Sequence, residues 1–206
     1  MAITNGYCSL NEVKSALRIT DSVDDSLLEM AVESASRLID GFTNRLFYND
    51  GTAARYFVAQ SDTLVYVDDI PGTTAGTSIT IQTSDDGITF DTTWSYTNGD
   101  FQLEPLNAVA DGIDFSFYRI RATEDFFWPI LGNEALVKVT SPWGWSAVPI
   151  AIKQATVIQG SRIFSRLQSP LAVAGFNELG VVRVTRYLDP DVEQLVMPYR
   201  KMRQIA

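Results

Sequence analysis

The chain has 206 residues, and its composition excludes several classes of protein. With 46% hydrophobic and 20% charged residues it is typical of a folded globular protein and unlike a disordered chain. It has no histidine and a single cysteine, Cys8, which excludes histidine-based catalysis, histidine-ligated metal sites and an intrachain disulfide. Because no apolar run reaches bilayer length and the N-terminus lacks the pattern of a signal peptide, we expect no membrane crossing by its own signal.

The net charge of −9 is unevenly distributed along the chain. Residues 1–50 hold four Lys or Arg against eight Asp or Glu, residues 51–140 hold four against thirteen, and residues 141–206 hold eight against four. This asymmetry indicates either an acidic partner for the basic C-terminal part or simply two different solvated faces.

The first fifty residues predict two helices. Ser9 and Glu12 form a capping box, with a hydroxyl at the N-cap and a carboxylate three residues later, and the first helix should reach Leu17. After a polar break, apolar residues recur with the 3.6-residue helical period from Leu27 to Phe42. This regular pattern predicts a second, longer helix of about four turns.

Beyond residue 48 the composition changes to that of a β domain. The segments that fit strands are, in chain order, residues 63–67, 78–82, 94–96, 115–121 and 135–140. Asp-Gly at 86–87 and Asn-Gly at 98–99 are tight-turn sequences that tolerate a positive φ. The regular spacing of turns predicts a small antiparallel sandwich or barrel.

A helical pattern returns at Pro149 and continues to Leu167. Its apolar residues cover more than one stripe, and a helix of this kind must be buried on more than one side. We therefore predict that a neighbouring subunit covers the second face. The candidate subunit contacts are Ile150, Val157, Ile158 and Phe164.

The C-terminal segment predicts two short elements. Residues 181–185 have the composition of a strand. Asp189 and Pro190 should begin a last helix, with Asp at the N-cap and Pro at the first helical position. Pro198 should end that helix and leave a basic tail.

The order of these elements predicts an α+β fold. Residues 1–48 and 143–206 should form one helical bundle from the two ends of the chain. Residues 49–142 should form an antiparallel β domain, sandwich-like or barrel-like, inserted between them.

Candidate chemical groups are few. Adjacent carboxylates occur at residues 24–25, 68–69, 85–86 and 124–125, but neighbours on a strand point to opposite faces and none of the pairs fits an EF-hand. A small hydrolase that uses such a pair is the least favoured hypothesis. Cys8 precedes a helix N-terminus, which would lower the thiol pKa, but an inert, semi-buried thiol is the favoured interpretation. We predict no catalytic residue, no cofactor and no metal site.

Two aromatic clusters flank the last predicted strand, at residues 126–129 and 143–145. Exposed on a β domain, they would stack on sugar rings and make this a carbohydrate-binding or host-recognition module. Packed in the interior, they would join the β segment to the helices. Both interpretations stay open at the level of sequence.

Three stretches of the chain carry a family resemblance. They are YCSLNEVKSALRI at residues 7–19 with the helix through 35–45, WGWSAVPIAIKQA at 143–155, and SPLAVAGF at 169–176 with 188–192 and 198–200. Together they resemble the head-to-tail connector (adaptor) family of tailed phages, most closely the adaptors of actinobacterial siphophages. The long β segment departs from the compact, mostly helical members, so the resemblance implies no role for it.

This resemblance implies a non-enzymatic virion protein of the phage neck. It implies a ring, usually of twelve copies, that assembles in the host cytoplasm, docks beneath the portal protein and is continued by a head-closure (stopper) or tail-terminator protein. Genomic DNA would pass through without specific binding, which suits an acidic chain that repels phosphates. In this family the C-terminal part engages the portal, so the candidate portal contacts are Arg183, Arg186, Tyr187, Tyr199, Arg200, Lys201 and Arg203.

Overall fold

The computed structural model describes residues 2–107, 115–123, 125–132, 134–168 and 188–201. Its helices are α1 (Leu10–Leu17), α2 (Asp25–Thr43), α3 (Ile150–Gln168) and α4 (Pro190–Val196). Its strands are β1 (Asn49–Phe57), β2 (Leu64–Pro71), β3 (Thr80–Thr83), β4 (Thr92–Trp94), β5 (Phe101–Glu104), β6 (Ser116–Ala122) and β7 (Val137–Gly144). Helices and antiparallel sheets confirm the predicted α+β class. No helix in these ranges is both long and apolar enough to span a bilayer.

The chain divides into two compact units. Among the described residues, the helical unit contains those up to Phe47 and those from Val148 to Lys201, and the β unit contains those from Tyr48 to Ala147. The sequence-based division placed the second boundary after residue 142. The structure places it after Ala147, because β7 continues to Gly144 and keeps the Trp-Gly-Trp segment in the β unit.

The helical unit is built from both ends of the chain. The two 19-residue helices α2 and α3 pack on each other, α1 packs on both, and α4 packs on α3. Gly160 lies at the crossing of α2 and α3, where a Cβ atom would lie 3.8 Å from the Ala31 carbonyl oxygen and the Val32 Cα. Phe164, one turn further along α3, joins Leu28 and Val32 in the core. These small and apolar residues allow the helix axes to approach closely.

The predicted capping box is present at the start of α1. The Ser9 backbone N–H donates to Glu12 Oε2 at 2.7 Å, and the Glu12 N–H donates to Ser9 Oγ at 3.3 Å. At α4 the predicted N-cap is also confirmed, since Asp189 Oδ1 accepts from the Asp191 N–H at 3.0 Å. These side chains satisfy backbone donors that the first turn of a helix leaves unpaired.

The β unit consists of two antiparallel sheets, with strand orders β1-β7-β3-β4 and β2-β6-β5. Their inner faces share one core, whose largest members are Trp94, Trp128, Trp143, Phe101, Ile70, Ile81 and Ile120. The five predicted strand segments overlap β2, β3, β4, β6 and β7. The predicted segment at residues 181–185 lies outside the described residues.

Gly144 closes the end of β7 against the start of β1. Its φ is +89°, and a Cβ atom there would lie 1.9 Å from the Tyr48 carbonyl oxygen. That same carbonyl accepts a hydrogen bond from the Trp145 N–H at 3.2 Å. Only glycine fits both the backbone conformation and the close approach, which explains the residue between Trp143 and Trp145.

Candidate interaction surfaces

The only cysteine is an inert core residue in this structure. Cys8 is buried beside Val13 and Leu28. Burial raises the pKa of its thiol to about 12, and the nearby Glu12 carboxylate adds to that shift. Burial and the raised pKa agree with an inert thiol and contradict a thiol activated by the helix N-terminus.

The carboxylate pairs in the described residues stabilise local structure. Asp86 accepts hydrogen bonds from the Ile88 and Thr89 backbone N–H groups at 2.8 and 2.7 Å, and these bonds, the one from Thr89 foremost, lower the pKa of Asp86 to about 2. Asp69 is buried and accepts hydrogen bonds from Ser116 Oγ at 2.9 Å and Trp145 Nε1 at 3.3 Å. Within the described ranges no group of three or more Cys, Asp or Glu residues is arranged to hold a metal ion.

The tryptophans of the aromatic clusters lie inside the β unit. Trp128 stacks on Trp94 with the ring centroids 4.0 Å apart, and its backbone N–H donates to the Asp62 carbonyl at 2.7 Å. Trp143 is fully buried and its Nε1 donates to the Ala53 carbonyl at 2.8 Å. The aromatic faces that would stack on a sugar are thus covered by protein. The exposed apolar side chains of this region are Phe126, Phe127, Ile130 and Leu131.

The four candidate subunit contacts on α3 fall in different environments. Ile150 is 81% exposed at the start of the helix, and Ile158 is half-buried. Val157 is half-buried and packs on the core that contains Leu28. Phe164 is 2% exposed and belongs to that core, so its own chain covers its side chain. The exposure of Ile150 supports a contact with another molecule, and the burial of Phe164 does not.

Both long helices present an uncharged face to solvent. On α2 the exposed residues at helical spacing are Leu27, Met30, Ser34, Leu38 and Gly41, here named the α2 outer face. On α3 the corresponding residues are Ile150, Gln154, Ile158, Ser161 and Ser165, here named the α3 outer face, of which Ile158 and Ser161 are half-buried. Outward faces of helices are normally polar and charged, so two uncharged faces in one unit indicate surfaces made for contact.

Three of the candidate portal contacts lie at the C-terminal end of α2. The Tyr199 carbonyl accepts a hydrogen bond from Arg45 Nε at 2.7 Å, and the Lys201 N–H donates to the Thr43 carbonyl at 2.8 Å. The guanidinium of Arg200 lies over the Phe42 ring, 5.2 Å from its centroid. These contacts hold the backbone of residues 199–201 next to the C-terminal end of α2. Arg183, Arg186, Tyr187 and Arg203 lie outside the described residues.

Sequence reasoning missed a polar network that ties the N-terminal segment to α2. Tyr7 Oη donates to Asp40 Oδ1 and accepts from the Phe47 N–H at 2.9 Å. Glu33 Oε1 accepts from the Thr4 and Asn5 N–H groups at 2.6 and 3.1 Å. Burial raises the pKa of Asp40 to about 6, although the Tyr7 hydrogen bond opposes the shift. These contacts join residues about thirty positions apart, and no local pattern indicates them.

Comparison with known proteins finds a family match for part of the chain. Residues 7–91 match the model of a family described as phage gp6-like head-tail connector proteins. This stretch contains α1, α2 and the β unit as far as β3. No curated protein matches the chain.

Solved structures of gene transfer agent (GTA) particles match over the whole chain. The neck of an empty particle computed with C6 symmetry has a TM-score of 0.58 and 16% identity, over 100% of this chain and 95% of the other. The neck of a native particle computed with C12 symmetry has a TM-score of 0.55 and 16% identity, and the match covers 100% of this chain and 94% of the other. The virion of a native particle has a TM-score of 0.55 and 17% identity, and the match covers 100% of this chain and 95% of the other. This likeness shows a shared fold.

Proposed function

We propose that this chain forms a ring in the neck of a tailed-phage-like particle, where it connects the portal vertex of the head to the tail and lets DNA pass. The observation that carries the proposal is the family match of residues 7–91 on a chain that resembles, over its whole length, a chain from the neck of a GTA particle. The C12 symmetry of one such neck supports a ring of twelve copies. We propose adaptors of actinobacterial siphophages as its nearest relatives within the connector family.

The proposed partners are the portal protein above the ring and a head-closure (stopper) or tail-terminator protein below it. Residues 51–140 hold thirteen acidic residues against four basic ones. Such a surface repels a polyanion, which supports passage of genomic DNA without specific binding. The ring would assemble in the host cytoplasm and remain in the virion.

The portal contact is proposed for the C-terminal basic residues, namely Arg183, Arg186, Tyr187, Tyr199, Arg200, Lys201 and Arg203. The described part of this set supports the proposal, because Arg200 is exposed and its backbone is held near the end of α2. A basic surface at a fixed position can dock on an acidic neighbour in one register.

A binding assay with the portal protein of the same particle tests this function. We expect the purified chain to form rings on the portal, visible by negative-stain electron microscopy, and Arg200→Glu to weaken the association. Arg18→Glu, the same charge reversal at an exposed residue after α1, is the matched control and should bind normally. The proposal would be contradicted if the chain did not bind the portal protein at any concentration.

We also propose that the chain works without catalysis, as a structural protein. The competing function, a glycan-binding or host-recognition module, needs accessible aromatic platforms in the β unit. Because Trp128, Trp143 and Trp145 are buried, that alternative would depend, within the two predicted aromatic clusters, on the exposed Phe126 and Phe127. A glycan array with the full chain is the direct test, and we expect no binding.

A further inference from the structure

The two uncharged helix faces are distinct surfaces of one helical unit. The α2 outer face exposes Leu27, Met30 and Leu38, with Leu38 49% exposed in the middle of the helix. The α3 outer face begins at Ile150, which is 81% exposed. Each face is carried by a 19-residue helix, which is about 28 Å long. The two faces therefore match in length as well as in lack of charge.

The two helices that carry these faces differ in the sign of their charged residues. Helix α2 holds four acidic residues and one basic residue, whereas α3 holds three basic residues and no acidic one. Most of these charges are paired within the chain, since Lys14 lies 2.5 Å from Asp25, Arg37 2.9 Å from Asp40, Lys153 3.1 Å from Glu12 and Arg162 2.7 Å from Asp189. The residues that define the two outer faces carry no charge, so contact between them would be made by apolar and neutral polar side chains.

Gly41 adds an independent observation on the α2 outer face. A Cβ atom at Gly41 would meet nothing within 4 Å, and its φ is not in the left-handed region. Packing within the chain therefore does not explain a glycine inside a helix, where glycine is unfavourable relative to alanine. A close approach by an element from outside the chain does explain it.

From these observations we infer that the α2 outer face of one copy packs against the α3 outer face of the next copy in the ring. A closed ring needs two different, mutually complementary surfaces on every subunit, and this chain has both on its helical unit. The occupant of each face is thus a second copy of this chain. This inference rests on the proposed ring and names the surfaces that join its subunits.

Two substitutions disable one face each. Leu38→Glu places a charge on the α2 outer face, and Ile150→Glu does so on the α3 outer face. Both residues are exposed, and glutamate suits a helix, so both variants should fold. The matched controls are Leu106→Glu and Ile88→Glu, the same changes at residues of the β unit that are 63% and 85% exposed.

Native mass spectrometry and electron microscopy with portal protein give the readout. We expect rings from the unmodified chain and from both controls, and loss of rings from Leu38→Glu and Ile150→Glu. A mixture of these two variants retains one intact pair of faces, so it should yield heterodimers that grow no further.

Three outcomes overturn the inference. Rings formed by Leu38→Glu or Ile150→Glu would show that these faces do not form the interface between subunits. Homodimers of Ile150→Glu would show that α2 meets α2, and a mixture without heterodimers would show that α2 does not meet α3. If the unmodified chain forms no ring even with the portal, the proposed function itself fails, which is a different result from rings that survive the substitutions.

Discussion

The two units of this protein differ in where their buried and exposed apolar side chains lie. The β unit buries Trp94, Trp128 and Trp143 in the core that its two sheets share, and it exposes Phe126, Phe127, Ile130 and Leu131 in one loop. The helical unit also has a buried core, yet both of its long helices keep an uncharged outward face. The exposed apolar cluster of the β unit thus lies in a loop, whereas the exposed apolar residues of the helical unit form faces along its helices, and both are surfaces that neighbours can cover.

The largest effect should come from the core of the helical unit. Phe164→Ala removes a buried ring that packs on Leu28 and Val32, and we expect a loss of about 3–5 kcal/mol in the free energy of unfolding. Leu167→Ala, on the same helix but 55% exposed, should change stability by less than about 0.5 kcal/mol. Urea denaturation measures both. Equal effects of the two changes would show that Phe164 is not a core residue.

In the β unit the most sensitive backbone position is Gly144. Gly144→Ala must bring a Cβ atom against the Tyr48 carbonyl and hold a left-handed φ, so we expect a loss of about 2–3 kcal/mol. Gly99→Ala is the control, because its φ is also positive but nothing lies within 4 Å. Gly99→Ala should lower the free energy of unfolding by about 1 kcal/mol, because it adds backbone strain without a close contact. A thermal melt that ranks the two changes in the reverse order would contradict the close approach.

One carboxylate in each unit, Asp40 and Glu104, should respond to acid with opposite sign. Asp40, in the helical unit, has its pKa raised to about 6 by burial, so the folded state binds a proton more tightly than the unfolded state. The stability that the protonated Asp40 gives the folded state is fully present below pH 3.8, the ordinary pKa of an aspartate. It is lost as pH rises through about 6. The expected size is on the order of 2–3 kcal/mol. Asp40→Asn should abolish this part of the pH dependence.

Glu104, in the β unit, behaves in the contrary way. The hydrogen bond from Arg121 Nε at 2.6 Å lowers the pKa of Glu104, and Arg119 lies 3.4 Å away. Its stabilising contribution is present above its unfolded pKa and is lost as pH falls through the lower folded value. Hydrogen exchange at pH about 7 and about 3, corrected for intrinsic rates, should show protection rising around Asp40 as it falls around Glu104, because the lower pH lies below the ordinary glutamate pKa of 4.5. A parallel change in both regions would contradict this contrast.

The smallest expected effect distinguishes folding from assembly. Gly41→Ala should raise the free energy of unfolding by about 0.5–1 kcal/mol, because alanine is the better helix former and the site is open. A bulkier Gly41→Met should fold as well, yet it should hinder ring formation at the α2 outer face. Thermal melts and native mass spectrometry on the same samples separate the two properties. If Gly41→Met formed as many rings as the unmodified chain, the interface between subunits would not include the α2 outer face.

Sequence patterns predicted the helices well because their signals are local. The Ser9–Glu12 capping box and the period from Leu27 to Phe42 placed α1 and α2 within about two residues of their observed bounds. Asp189 and Pro190 did the same for α4. In each case the side chains that mark the element act on its own backbone.

Strand β1 was not predicted because its sequence has no alternation. Its residues are mostly exposed, and it lies at an edge of its sheet, paired only with β7. The Asn49–Gly51 segment has the composition of a turn, whereas it is the irregular start of β1. Strand β5 is four residues long and too short to show a period.

Placement of individual side chains depended on tertiary contacts that a pattern does not contain. Trp143 was assigned to the C-terminal bundle and lies in the β core, and Phe164 was assigned to a subunit contact and lies in the helical core. Apolarity shows that a residue favours burial, but not which element covers it. Ile150 and Phe164 are equally apolar in sequence and differ only in the folded chain.

A cryo-electron microscopy map of the neck of the assembled particle tests the central claim most directly. We expect identical copies of this chain in a closed ring beneath the portal, with the α2 outer face of each copy against the α3 outer face of the next. A particle whose neck lacks the chain, or in which it stands as isolated copies without contact to one another, would contradict the claim.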